Sequence, residues 1–573
     1  MKSKNTTTRR KFLRNTLLAS GGIIIASNLI SCSDDDIDDI NIPDNSKLEK
    51  FNHGVASFDP TTNQVIIWTR YTTDKPEVEI VWEVSKNPNF STLLRTGTFT
   101  TNQERDYTVS IEVQDLEPNQ KLYYRFAQLE EGTISVVGET ITLSENPNEV
   151  NLAVCSCSNY AAGYFNVYDS IAKSDVDVVV HLGDYIYEYG ETEYGYTSEV
   201  YRPLSPDHEI ISLDDYRERY RLYRSDKMLQ LAHQKKPFIC VWDDHEVAND
   251  TYKDGAQNHD SSEGSFVQRK INAIQAYSEY LPMKISDNNK IYRNIEFGNL
   301  VNLIMLDTRV IGRDKQLSYT DYISITGFDF SEFRNDWLDK NRTILGHEQR
   351  NWLLNVAESN SATWQVLGQQ VLMGKMLLPF DFLDLLQDAS RESKSGGMST
   401  QTRKALEIKM EELVTLKRRQ LAGDLTLTEN ESARISGGFP YNLDAWDGYP
   451  LEREMILNAF KGKKLVALAG DSHNAWHSDL ITNSDIKVGE EFATASVTSP
   501  GIDLILSGSI VFSIFEEVMT SLIDHLKYLN ASDRGYLKVN FTNSTSNANW
   551  VFVDQIYDEQ YQTSVEYSTS YNG

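Results

Sequence analysis

A chain of 573 residues, 40% apolar and 24% charged, is long enough for two or three domains with substantial cores. Its formal net charge of −28 argues against general nucleic-acid binding, which needs a basic footprint. An acidic chain can still take an anionic substrate, because bound cations reverse the local field, so such a reading brings metals with it.

Residues 1–31 read as an export signal. Thr8-Arg9-Arg10-Lys11-Phe12-Leu13 has the form of a twin-arginine signal, and the apolar stretch Leu17–Ile30 follows it. That stretch is too short to span a bilayer comfortably as a permanent helix. An ordinary secretory signal with two adjacent arginines is the competing reading. Leu29-Ile30-Ser31-Cys32 has the form of a lipobox, which would make Cys32 the lipidated first residue of a membrane-anchored envelope protein. Ser33 and Asp34-Asp35-Asp36 open an acidic tether over residues 32–50, either a signal for display on the cell surface or a solvated spacer. The remaining cysteines are Cys155, Cys157 and Cys240. Cys155 and Cys157 lie two apart on one expected strand, too far from each other to bridge easily, and Cys240 sits in the apolar run FICVW. This is no disulfide scaffold.

Residues 51–146 alternate in short apolar runs bounded by turn residues. Strands are expected at Gln64–Thr69, Val78–Val84, Tyr107–Val113 and Lys121–Ala127. LEPNQKLYYRF (116–126) is similar to the closing strands of fibronectin-type-III-like sandwiches, so a small all-β domain is expected here. From residue 147 to 573 apolar strands alternate with helical stretches, which predicts an α/β domain. Its expected strands include Leu152–Ser156, Val176–Leu182, Ile239–Trp242, Leu300–Asp307, Thr363–Gly368 and Leu465–Gly470. Helices are expected at Tyr164–Lys173, Asp214–Leu222, Ser265–Tyr280 and Glu348–Ser359. Val310–Arg342 and Asp388–Ile435 read as insertions, the second with a long helix around Thr402–Arg419. Ile502–Phe515 reads as a buried helix or a substrate lid.

Four polar clusters accompany these strands: VCSCSNY with Cys157, HLGDYIYE with Asp184 and Tyr187, VWDDHE with Asp244 and His245, and LAGDSHNAW with Asp471 and His473. Ligands bind at the carboxyl ends of parallel strands, so four such clusters could converge on one crevice. A carboxylate in such a crevice can bridge two cations, and Asp184 is the best candidate.

The strings GVASFDPTTNQVIIWTR, CSNYAAGYF, HLGDYIYEYG, WDDHEVANDTY, MLDTR, LGHEQRNWLLNVAESNSATWQVLGQQVLM and LAGDSHNAWHSDL occur in that order. Together they resemble the alkaline phosphatase D (PhoD) family of metallophosphoesterases across nearly all of the chain after the signal. The resemblance implies a calcineurin-like two-sheet sandwich flanked by helices, and hydrolysis of phosphate esters by a metal-bound hydroxide at an iron–calcium centre. It implies Cys157, Asp184, Tyr187 and His473 as ligands of Fe³⁺, Tyr187 standing where purple acid phosphatases use a phenolate. Thiolate and phenolate favour iron over calcium, although Tyr187 could instead be a core tyrosine and Cys157 a thiol beside the metal. Asp184, Asp244, Asp471 and Gln370 would form an oxygen site for Ca²⁺, with Mg²⁺ or another divalent metal as the alternative. Gln370 is placed by counting six from Trp364, and Gln369 competes with it. His245 would be the general acid or transition-state donor, beside Asp244. Asn159 and Arg309 would contact phosphate oxygens or serve structurally, and Glu188 reads as a support residue rather than a ligand.

The expected substrate is a phosphate ester, with monoester and diester both open, and a phosphodiesterase or phospholipase D-like action on phosphodiester polymers or lipids is the alternative. A surface-binding lipoprotein that has lost its activity is the remote third reading.

Overall fold

The computed structural model describes residues 49–284, 290–394, 397–436, 438–506 and 509–573. The expected export signal, Cys32 and the tether up to residue 48 lie outside them.

Two large sheets face each other, as the α/β reading expects. The first has nine strands; at its centre Glu149–Cys155, Val178–His181 and Pro237–Cys240 run parallel, with Val178 opposite Leu152 and His181 opposite both Cys155 and Cys240. These strands are apolar almost throughout because helices cover one face and the second sheet the other. The second sheet has seven strands. Val301–Met305, Trp364–Gly368, Lys464–Ala469 and Lys487–Ala493 run parallel in it, and Met305, Gly368, Leu468 and Phe492 share one row.

The pleat sorts side chains between two cores. Leu303, Val366, Val466 and Leu468 meet Val154, Val180 and Ile239 of the first sheet. Their neighbours Ile304, Leu367, Leu465 and Ala467 point the other way, onto Leu353, Met410, Leu413 and Val518 of the outer helices. The sheets approach closely at their carboxyl ends. A β-carbon on Gly470, just past the second sheet, would stand 2.5 Å from Ser156 Oγ, just past the first. The loops that follow both sets of strands therefore face one crevice.

The amino-terminal unit is antiparallel within itself, and its five-stranded sheet packs on its own apolar cluster. It is also built into the larger domain. Val55–Phe58, Val65–Arg70 and Thr108–Val113 extend the nine-stranded sheet, Val55–Phe58 running parallel to Pro237–Cys240. Asp59, next in the chain, holds Arg293 of the second sheet through two bonds of 2.8 and 2.7 Å. The opposite edge of the first sheet is a carboxyl-terminal meander, Arg534–Thr542, Ser546–Val553 and Thr563–Tyr571.

Both expected insertions form structure. The first carries the hairpin Ile323–Ser324 with Gly327–Phe328 and the helix Phe330–Trp337. The second carries the helices Thr400–Leu421 and Glu429–Ser436, the expected long helix being two residues longer at each end. The stretch read as a buried helix or lid contains Ile502–Ile505 and the start of Ser509–Leu522, whose Phe515, Val518, Met519 and Leu522 are buried in the outer core. Within Ile502–Phe515 itself, Ile502, Leu506 and Phe515 are buried and Leu504 is exposed. No helix among the described residues is long and apolar enough to cross a membrane.

Candidate metal centre

Four of the expected site residues share an unusual backbone. Cys157, Asp184, Asp471 and His473 all have positive φ, between 55° and 64°. For side chains other than glycine this conformation costs about 1–2 kcal/mol each, and it persists where the surroundings enforce it. Here it turns each chain sharply just past its strand and aims the side chain across the crevice. Backbone bonds hold the turns together: Cys157 N–H donates to the Gly183 carbonyl at 3.1 Å and Ser158 N–H to the Asp184 carbonyl at 2.9 Å.

Three overlapping sets of ligand-type atoms result, the atoms of each lying within 4.8 Å of one another: Cys157, Asp184 and His473; Asp184, Asp244 and His245; Asp243, Asp244 and Asp471. Tyr187 joins the first set. Its hydroxyl lies 2.9 Å from Asp184 Oδ2, 3.2 Å from His473 Nε2 and 2.7 Å from Ser499 Oγ. The structure thus brings together Cys157, Asp184, Tyr187, Asp244, His245, Asp471 and His473.

This donor set fits cations. Asp184 Oδ1 and Asp243 Oδ2 are buried without a hydrogen-bond partner, which is costly for a carboxylate unless a cation meets it. Burial, and next the Asp184 charge, push the Cys157 thiol and the Tyr187 phenol well above their usual ranges. Burial pushes Asp471 up to about 8 and Asp243 well up, Arg309 opposing and neighbouring carboxylates adding to both. Anionic ligands crowded in this way are stabilised by a bound cation. His473 is already oriented for ligation: its Nδ1–H donates to the Pro500 carbonyl at 2.7 Å, leaving Nε2 to face Asp184 and Tyr187.

His245 sits beside this set with its ring 4.2 Å from that of Tyr187. Its Nδ1 is 2.7 Å from Glu188 Oε2, and the other Glu188 oxygen accepts from Asn249 N–H and from Asn258 Nδ2. Glu188 therefore orients the imidazole from behind and leaves Nε2 for the crevice. Burial disfavours a charged His245, but the Glu188, Asp184 and Asp244 carboxylates outweigh it and hold the ring protonated well above the usual histidine range.

The other expected residues are engaged differently. Arg309 is buried and bonded to Asp243, Asp471 and Asp444, the last at 2.6 Å. Asn159 caps a short helix: its Oδ1 accepts from Ala161 N–H and its Nδ2 donates to the Tyr194 carbonyl at 3.2 Å. Gln370 is a brace. Its Nε2 donates to the Trp242 and Leu306 carbonyls and its Oε1 accepts from both the backbone and the hydroxyl of Thr308. Gln369 Oε1 accepts from Trp446 Nε1 at 3.0 Å.

Sequence reasoning missed Asp243, Asp444, Tyr194 and Ser499. Asp243 had a signal, the acidic doublet in WDDHE. Tyr194 had none: its hydroxyl reaches His473 Nδ1 at 3.0 Å from a loop ten residues past Asp184. The crevice is a cleft of about 710 Å³, with Asp184, Asp244, His245, Asp471 and His473 at its floor. Its walls include Lys315, Ser318, Tyr319 and Asp321 of the first insertion, with Gln387 and Tyr441 at the margins of the second.

The PhoD-like phosphatase model matches residues 152–550, and the model of the PhoD-like phosphatase amino-terminal domain matches residues 39–144. Alkaline phosphatase D of Bacillus subtilis (strain 168) is 34% identical over 524 residues, covering 87% of this chain and 77% of that protein. A solved structure described as "Structure of PhoD" superposes with a TM-score of 0.71 at 31% identity, over 92% of this chain and 91% of that one. Family match, fold and buried ligand sets agree, and the chain belongs to the PhoD-like phosphatase (alkaline phosphatase D) family of phosphoric ester hydrolases.

Proposed function

We propose that this phosphatase works at a two-cation centre, with Cys157, Asp184, Tyr187 and His473 holding ferric iron and Asp184, Asp244 and Asp471 holding calcium. The observation that carries this reading is the convergence of these groups around Asp184, whose Oδ1 is buried without a partner. Thiolate and phenolate suit iron, and a set of carboxylates suits calcium or magnesium. Cations bound there would neutralise phosphoryl oxygens and acidify a water. The protein's own residues do the rest. His245, held by Glu188, faces the cleft as hydrogen-bond donor to the leaving oxygen. Arg309 keeps Asp243 and Asp471 in place through its guanidinium.

A second reading concerns substrate. The cleft of about 710 Å³ extends beyond the acidic floor between walls of amide, hydroxyl and aromatic side chains. Such a cleft has room for a group on each side of the phosphorus, which makes a diester the alternative to a monoester. The test is hydrolysis of bis-p-nitrophenyl phosphate against p-nitrophenyl phosphate at alkaline pH. A diesterase shows the higher kcat/KM on the former; preference for the monoester overturns the diester reading and leaves the phosphatase.

We propose further that the enzyme is exported through the twin-arginine pathway and anchored in the cell envelope by a lipid on Cys32. Thr8–Leu13 and the lipobox motif support it. Cys32→Ser should move activity from the membrane fraction to the soluble one, and unchanged membrane association would contradict the anchor.

A further inference from the structure

We propose that Glu246 is the positioning residue that locks the two carboxylate-bearing loops of the hydrolytic centre together, an inference that rests on the metal-centre reading above. Glu246 is 1% exposed and is not among the residues lining the cleft. Its two oxygens accept three backbone N–H groups: Oε2 from Asp184 at 3.1 Å and Asp243 at 2.8 Å, Oε1 from Tyr185 at 2.7 Å. Those donors come from two loops, which leave the adjacent strands Val178–His181 and Pro237–Cys240. One loop carries Asp184 and the other carries Asp243 and Asp244, so one carboxylate sets the separation of all three.

The geometry leaves no simpler partner for these N–H groups. The loops touch backbone to backbone at Gly183, where φ is +107° and a β-carbon would stand 2.4 Å from Asp243 N. Donors turned inward at such a contact find no carbonyl, and a buried unsatisfied N–H costs about 1–3 kcal/mol. Asp184 is thereby gripped from both sides, its N–H by Glu246 and its carbonyl by Ser158 N–H. This accounts for how a non-glycine residue is kept at positive φ at the centre of the site. A glutamine at 246 would keep one acceptor oxygen and turn an NH₂ donor toward N–H groups.

The test uses full-length, metal-loaded enzyme, assayed on both p-nitrophenyl phosphate and bis-p-nitrophenyl phosphate, and elemental analysis. Glu246→Gln should lower kcat, and weaken metal retention against a graded chelator, by about 10–100-fold each, with KM within twofold. Glu491→Gln is the control for a merely structural role. Glu491 is equally buried and accepts the Met373 and Gly374 N–H groups away from the ligand loops. Its loss should lower the melting temperature while kcat and metal retention stay within twofold of wild type. Should Glu246→Gln not fold, Glu246→Asp, which keeps both oxygens on a shorter stem, decides by the same split. Wild-type metal retention and kcat in a folded Glu246 variant, or an equal loss of both in Glu491→Gln, would overturn the inference. An active wild type with an unaffected Glu246 variant sinks only this proposal; an inactive, metal-loaded wild type sinks the reading on which it rests.

Discussion

Asp184→Asn should abolish turnover, lowering kcat/KM by about a thousandfold or more, while the protein stays folded. The substitution is isosteric and keeps one oxygen, so packing around the side chain is preserved. What changes is charge at the residue that joins the Cys157–His473 set to the Asp244–His245 set. Charge stabilisation by metals is worth several kcal/mol at the transition state, and each 1.36 kcal/mol is tenfold in rate. The orphaned Oδ1 is the atom with most to lose, since Oδ2 already accepts from the Tyr187 hydroxyl. An asparagine in its place would present either a neutral oxygen or an NH₂ to the cation. Elemental analysis of the purified variant should show metal content reduced along with activity. A variant with full metal content and more than a tenth of wild-type kcat/KM would remove Asp184 from the centre.

His245→Asn should lower kcat by about 10²–10⁴-fold, the usual range for a positioned general acid. The loss should depend on the leaving group. p-Nitrophenolate departs without a proton, whereas an alkoxide needs one, so alkyl phosphate esters should suffer most. This follows from the ring's placement: Nδ1 bonded to the Glu188 carboxylate, which favours the protonated imidazole, and Nε2 turned to the cleft. An equal loss on p-nitrophenyl and alkyl esters would assign His245 to ligand positioning or structure.

The parts of this fold that were legible before the structure are those where local pattern and burial agree. Val178–His181 is apolar because both faces are covered, and its expected span of Val176–Leu182 differs only at the ends. Long helices such as Phe266–Tyr280 followed the same logic through their 3.6-residue period. Lys487–Ala493, KVGEEFA, did not stand out, because its Glu490 and Glu491 are buried against partners distant in sequence, among them His477 and Met373 N–H. Nor did the meander from Arg534 to Tyr571, whose last strand is mostly exposed at the sheet edge and carries few apolar residues.

Within the site, the strand-end residues were legible because the chemistry sits beside an apolar run. Tyr194, Ser499, Asp444 and Glu246 were not, since their roles depend on approach between segments far apart in the chain. Gln370 lies on the loop that counting along the chain brings it to, and there its amide is bonded to the Trp242 and Leu306 carbonyls and to Thr308. Asn159 likewise lies two residues from Cys157 but spends its side chain on Ala161 and Tyr194.

The most direct test of a cation-dependent hydrolytic centre around Asp184 is ester hydrolysis measured alongside metal content in three samples: protein as purified, after chelation, and after Ca²⁺ is restored. The account predicts iron and calcium in the first sample and loss of activity with loss of calcium in the second. In the third, calcium should restore hydrolysis for wild type and not for Asp184→Asn. Activity that persists through complete removal of both metals, or that never appears in protein holding both, would contradict it.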